Sequence, residues 1–157
     1  MRRISVLIVL VLSGSVLAAQ PAGTPAAIAA LKSQIKNPVD WSAANARSAD
    51  VTCDGKPDVI LFGMAAKTAW VAVVPGGGKP LAMELPVSNG NPDGFCRAPK
   101  NIAVKPLTCE SSSMGHLSDC QPVKNCKEFA VEDGVCGAFH FYWDVRTKRM
   151  RSWRAAK

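Results

Sequence analysis

The sequence lacks the short motifs that mark most hydrolases and nucleotide-binding enzymes. It has no G-x-S-x-G and no H-E-x-x-H, so neither a serine nucleophile elbow nor a helical zinc pair is encoded. Gly76-Gly77-Gly78-Lys79-Pro80 is glycine-rich but lacks the first glycine and the Ser/Thr of a phosphate-binding loop. No two cysteines are spaced as C-x-x-C, which argues against a zinc knuckle. No apolar run reaches the roughly 20 residues that span a bilayer, and no period of the length seen in solenoids or propellers repeats. Acidic residues are scarce, 12 against 19 basic ones, for a formal charge of +7. What is present fits one globular domain: 157 residues, 48% apolar and 20% charged, with 12 glycines and 11 prolines set between short apolar runs. That pattern favours a turn-rich β or α+β fold over a helical bundle.

The first 19 residues read as a secretory signal. Arg2 and Arg3 form a positive start, residues 4–12 are almost continuously apolar, and Ala18 and Ala19 supply the small side chains of a cleavage site. The expected exported domain spans residues 20–157, with a charge of 17 − 12 = +5 once the two arginines are removed. All six cysteines, Cys53, Cys96, Cys109, Cys120, Cys126 and Cys136, lie in that part. An even count in a small exported chain predicts three disulfides. Zinc is the competing reading, because His116 and His140 fall among the later cysteines, but the spacing and an oxidising compartment both disfavour it. Many pairings are open to six cysteines. Cys53 and Cys136 each precede a predicted strand, which makes them the expected pair.

Thr24-Pro25 looks like a helix cap followed by proline at the first helical position. Ile28, Leu31 and Ile35 follow at helical spacing until Asn37-Pro38, predicting one amphipathic N-terminal helix over 25–36 that packs on a sheet. Strands are predicted over 59–64, 68–74, 81–85, 102–107, 129–131, 138–143 and 150–154, with turns at 75–78, 88–94, 133–134 and 145–148. Residues 108–126 hold three cysteines and little periodicity and are expected to form a stapled loop. The expected class is therefore α+β: mostly antiparallel β-sheet, one N-terminal helix, disulfide-stapled.

The most specific segment is Asp50-Val51-Thr52-Cys53-Asp54-Gly55-Lys56-Pro57-Asp58. Oxygen-bearing side chains stand at positions 1, 3, 5 and 9 and glycine at position 6, a spacing that turns successive oxygens toward one point, as calcium requires. Asp50, Thr52, Asp54 and Asp58 would give side-chain ligands and Lys56 its backbone carbonyl. The segment resembles the Asp-rich calcium loops of FG-GAP and VCBS repeats, which lead directly into a strand, as Val59-Ile60-Leu61-Phe62 does here. The resemblance implies a bound Ca2+. It departs at Thr52, at Cys53, and at Leu61, where an EF-hand would carry glutamate. Together with Asp133-Gly134-Val135-Cys136 and the aromatic run after it, the loop is also similar to small exported bacterial proteins. Calcium-loop β modules occur among periplasmic lysozyme inhibitors and effector-neutralising immunity proteins, an analogy of architecture.

Two further groups are candidates for recognition. In a strand over 138–143, His140 and Tyr142 share one face and Phe139, Phe141 and Trp143 the other. One face is core; the other would present His140 and Tyr142, against the plainer reading of His140 as a packing residue. The C-terminal stretch from Arg146 to Arg154 sets Arg149 and Arg151 beside Met150 and Trp153. Such a patch can meet nucleic acid, but export directs it to acidic protein surfaces or anionic glycopolymers. Its plainer role is to guard an edge strand. The sequence thus points to a non-catalytic, exported protein-binding or inhibitor module with an acidic partner. The alternatives are a cell-envelope hydrolase, drawing a carboxylate pair from Glu84, Glu110, Asp119, Glu128, Glu132 and Asp133, or a glycopolymer-binding module.

Overall fold

Apolar residues on both sides of one hairpin set the architecture. Asp58–Ala65 and Thr68–Val74 are antiparallel neighbours in register from Val59↔Val74 to Ala65↔Thr68. Their side chains alternate between two separate cores: Ile60, Phe62, Ala69, Val71 and Val73 enter one, while Val59, Leu61 and Ala72 enter the other. A hairpin buried on both faces needs a layer on each side.

The computed structural model describes residues 20–90, 93–111 and 115–154, and leaves aside the side chains of 111–116. The signal expected over 1–19 lies outside the described residues. Among the described residues the single α-helix, α1, runs Thr24–Gln34. In chain order the strands are β1 Asp40–Trp41, β2 Arg47–Ala49, β3 Asp58–Ala65, β4 Thr68–Val74, β5 Leu81–Pro86, β6 Asn101–Pro106, β7 Glu110–Ser111, β8 Gly115–His116, β9 Lys127–Glu132, β10 Phe139–Asp144 and β11 Arg149–Arg154. The first sheet runs β1-β3-β4-β5, with β2 also paired to β3; the second runs β11-β10-β9-β6; β7 and β8 form a two-stranded ribbon. All strand pairs are antiparallel.

The two main sheets face each other across the larger core. Phe129 and Phe141 stack there at 5.0 Å, and Phe95 meets Phe139 edge-on at 5.1 Å. The helix covers the opposite face of the first sheet with Ala27 and Leu31. Gly63 is required where β1 crosses β3, because a Cβ would sit 2.6 Å from Val39 Cγ1 and 2.8 Å from the Asp40 carbonyl oxygen. The helix begins one residue before the sequence suggests: Gly23, in the left-handed region at φ 89°, occupies the cap, and Thr24 Oγ1 donates instead to the Pro21 carbonyl at 2.8 Å.

All six cysteines are bridged, as Cys53–Cys126, Cys96–Cys136 and Cys109–Cys120. The expected Cys53–Cys136 pairing is incorrect. Cys53 leads into β3 of the first sheet, and its partner is the cysteine leading into β9 of the second, so this bridge joins the two sheets. Cys136 is instead placed beside the 94–97 turn, where Asp133 collects the amides of Cys96 and Cys136 at 2.7 and 2.8 Å.

Loop length ranks these bridges. Cys53–Cys126 closes 73 residues and Cys109–Cys120 only 11, so replacing the first pair by serines is expected to cost about 4 kcal/mol and the second about 3 kcal/mol. Denaturant unfolding of the two double variants checks the order; an equal or inverted cost would show that the sheet-joining bridge is not the dominant constraint.

Candidate binding site

The outer face of the second sheet is where sequence placed a recognition surface, and it is covered. Cross-strand pairing aligns Ala103 with Ala130, Ala130 with His140 and His140 with Trp153; one step along, Lys105 lies opposite Glu128 and Tyr142 opposite Arg151. Residues 107–110 and 117–126 fold over these rows. Leu107, Leu117, Val123 and the Cys109–Cys120 bridge form a third apolar cluster with Tyr142 and Trp153. His140 and Tyr142 retain only 8% and 7% of their exposure, which corrects their expected role as a partner-facing anchor. The stapled segment has apolar residues of its own to bury, and this is the face available to it.

The His140 ring stacks on Trp153 at 4.0 Å and 8°. Its Nδ1 has no hydrogen-bond partner among the described residues. Burial, and then the Lys105 charge, pull the imidazole down to about 4. Glu128 is likewise buried, with Lys105 Nζ 3.6 Å from Oε1; desolvation pushes its carboxyl up despite that cation. The Tyr142 phenol is raised by burial and then by Asp119.

The two candidate arginines differ. Arg151 Nε lies 3.7 Å from Asp144 Oδ2. Asp144 is itself almost fully buried, accepting from Thr147 Oγ1 at 2.6 Å and from the amides of Arg146 and Thr147. The Thr147 hydrogen bond leads in holding its carboxyl below the usual range. Arg151 is therefore answered inside the β10–β11 turn, whereas Arg149 is exposed. Arg154 serves the fold: it donates to the Gly94 and Gly137 carbonyls and lies over the Phe139 ring at 4.7 Å.

The Asp50–Asp58 segment closes on itself. Asp58 is fully buried at the start of β3. Its Oδ2 accepts from the amides of Val51 and Thr52 at 2.9 and 2.8 Å, and its Oδ1 from Thr52 Oγ1 at 3.2 Å. Asp50 accepts from the amides of Asp54 and Gly55, each at 3.1 Å, and Asp54 from the amide of Lys56 at 2.9 Å. Gly55, at φ 81°, makes the turn that the spacing predicted. Burial pushes the Asp58 carboxyl up, against the hydrogen bonds that favour its charge. The carboxylate oxygens thus accept amide protons, and among the described residues Asp50, Asp54 and Asp58 do not form a group with ligand atoms all within 4.8 Å of one another.

Among the described residues, the group of three acidic, histidine or cysteine side chains with ligand atoms within 4.8 Å of one another is Cys96, Asp133 and Cys136. Both sulfurs are in a disulfide, and Asp133 accepts four amide hydrogen bonds, from Cys96, Arg97, Val135 and Cys136. Burial opposes its ionisation, but those bonds outweigh it and hold the carboxyl below its ordinary value.

One flank that stays open lies where β5 and β11 end the two sheets. Strand β5 is the edge of the first sheet and β11 the edge of the second, and they touch where Ser152 Oγ approaches Met83 Sδ at 3.8 Å. Lys79, Lys148 and Arg149 are exposed along this flank. Sequence reasoning placed Lys148 and Arg149 together in one basic stretch but not Lys79, which comes from a turn distant in the chain. No family model, curated protein or solved structure matches this chain.

Two measurements follow from this geometry. A histidine held neutral when folded, with a pKa lowered from 6.5 to about 4, loses stability as pH falls through that window, because the unfolded chain binds the proton first. The loss attributable to His140 by pH 4 is about 3 kcal/mol. Glu128 and Asp58, with raised pKa values, work in the opposite sense. The difference between wild type and His140→Phe in urea unfolding at pH 7 and pH 4 isolates the histidine; an unchanged difference would mean the imidazole is solvated. For the loop, Asp58→Ala is expected to cost about 2–4 kcal/mol by orphaning buried donors, with the same cost at millimolar calcium or in chelator. A calcium-dependent rise in the wild-type Tm, lost in Asp58→Ala, would instead establish the ion.

Proposed function

We propose that this chain is an exported, non-catalytic binding module that engages an acidic surface on another protein, in the manner of inhibitor and immunity proteins. The observation that carries the reading is the charge of the open flank. Lys79, Lys148 and Arg149 project there, and no carboxylate among the described residues forms an ion pair with them. Three disulfides suit an oxidising compartment, and a cross-linked scaffold lowers the ordering cost of binding. Among the described residues no helix is long and apolar enough to cross a membrane. The buried acids Asp58, Asp133 and Asp144 are engaged by backbone amides and a hydroxyl, so the structural use of these carboxylates accounts for them without chemistry.

Affinity capture from an envelope extract, at low and high salt and with and without calcium, tests the reading. The expected result is an acidic protein retained at low ionic strength and released as salt rises. With that partner in hand, Lys79→Ala combined with Arg149→Ala should slow association about tenfold at low salt while changing stability by less than about 0.5 kcal/mol. Turnover of an envelope polymer, abolished by changing one carboxylate, would replace this reading with the hydrolase one.

A further inference from the structure

We propose that the groove between the two edge strands β5 and β11 is the docking site for an extended, acidic segment of the partner protein. The inference rests on the binding-module reading and adds to it where the partner lies and in what conformation.

Two adjoining depressions make up the groove. One, of about 520 Å³, lies between Pro75, Leu81, Trp143 and Val145; the other, of about 250 Å³, lies between Leu81, Met83 and Met150. They share Leu81 and Lys148, and so lie side by side. Met83 and Met150 are half-buried extensions of the main core, and methionine adapts its shape to an incoming side chain. Lys79, Lys148 and Arg149 stand on the rim, against a single carboxylate, Asp54, which already accepts from the Lys56 amide. The lining is therefore apolar below and cationic above. This matches a strand that alternates apolar and acidic side chains, one set turned down and the other outward.

The backbone supports an extended ligand. Each of the two strands is paired on one side only, β5 with β4 and β11 with β10. The unpaired side of an edge strand is a template for strand addition. The depressions reach residues 81–83 of β5 and 149–150 of β11, with Ser152 meeting Met83 and the Pro86 carbonyl taken by the Phe95 amide beyond them, so the open stretch suits a segment of about three or four residues. A second copy of this chain is a poor occupant, since it would bring two cationic rims together.

Lys148 supplies an independent observation. It sits at φ 51° in the turn between β10 and β11, a left-handed backbone that glycine adopts without strain and lysine does not. The side chain placed there at that cost lines both depressions. Guarding the edge against aggregation would also use a lysine, but any exposed position along β11 would serve that purpose.

The test uses oxidised protein obtained by exporting the full chain, labelled with 15N. Its probe is a blocked ten-residue peptide of alternating Glu and Val, with a Lys-Val peptide as control. The Glu-Val peptide should produce saturable shift changes centred on residues 81–83 and 148–150, and the control none. Lys148→Gly should raise the Tm by about 2–4 °C yet weaken peptide binding at least threefold, while Lys148→Arg keeps it. Shifts centred on another open depression, such as that between Lys32, Lys36, Val39 and Met64, would overturn the placement, as would no shifts, or full affinity in Lys148→Gly. If wild type and Lys148→Gly capture the same acidic partner equally well, the groove is wrong and the acidic-partner reading stands. If wild type captures no acidic partner while the peptide shifts map to the groove, the failure lies with that reading and not with the groove.

Discussion

The structure depends on the burial of both faces of the β3–β4 hairpin. Ile60, Leu61, Val71, Ala72 and Val73 are fully excluded from solvent although they point alternately to opposite sides. Burying one such side chain is worth about 1.5–3 kcal/mol, so neither face can be left wet. The helix satisfies one side and the second sheet the other. That second sheet then has an outer face of its own, which the stapled segment over residues 107–126 closes. The order of layers is helix, sheet, sheet and stapled segment. Large faces are used up in making it; the flank bounded by β5 and β11 stays open, as do the β6 edge and the depression beside α1.

Charge is sorted by the same process. Asp58, Asp133 and Asp144 are at most 1% exposed, and each binds the amides of a turn. They work as covalently attached anions that fix loop geometry at the head of β3, ahead of β10 and after it. Buried N–H groups need such partners, and a carboxylate with several of them is a strong acceptor. The acids are thereby turned inward while many lysines and arginines stay outside. A partner meets a flank more cationic than the formal charge of the chain suggests, and this bears on encounter rate more than on the lifetime of the complex.

Much of the fold was legible in the sequence. The apolar run at 59–64, the Val-rich run at 68–74 and the alternation of Leu81, Met83 and Leu85 became β3, β4 and β5, because period-two patterning and turn residues act locally. β1 and β2 were missed: two or three residues are too few to show a period, and they are strands only because β3 offers an edge. The site was less legible. Asp50, Asp54 and Asp58 show the spacing of a metal loop, but the same spacing serves a chain of turns closed by amides, and only the direction of the carboxylate oxygens separates the two. His140 and Tyr142 share a face, as alternation requires; that the face is covered depends on residues 107–126, whose folding is dictated by a disulfide and not by periodicity. The Cys53–Cys126 pairing was hidden for a related reason, since it reflects how two sheets stack.

Hydrogen exchange on the oxidised protein, alone and with its captured acidic partner, tests the central claim that recognition occurs at the open flank. The account predicts slow exchange throughout β3, β4 and β10 in the free protein, faster exchange at the outer edges of β5 and β11, and marked slowing at residues 81–83 and 148–150 when the partner binds. Slowing confined to α1 or to residues 107–126, with β5 and β11 unchanged, would contradict it.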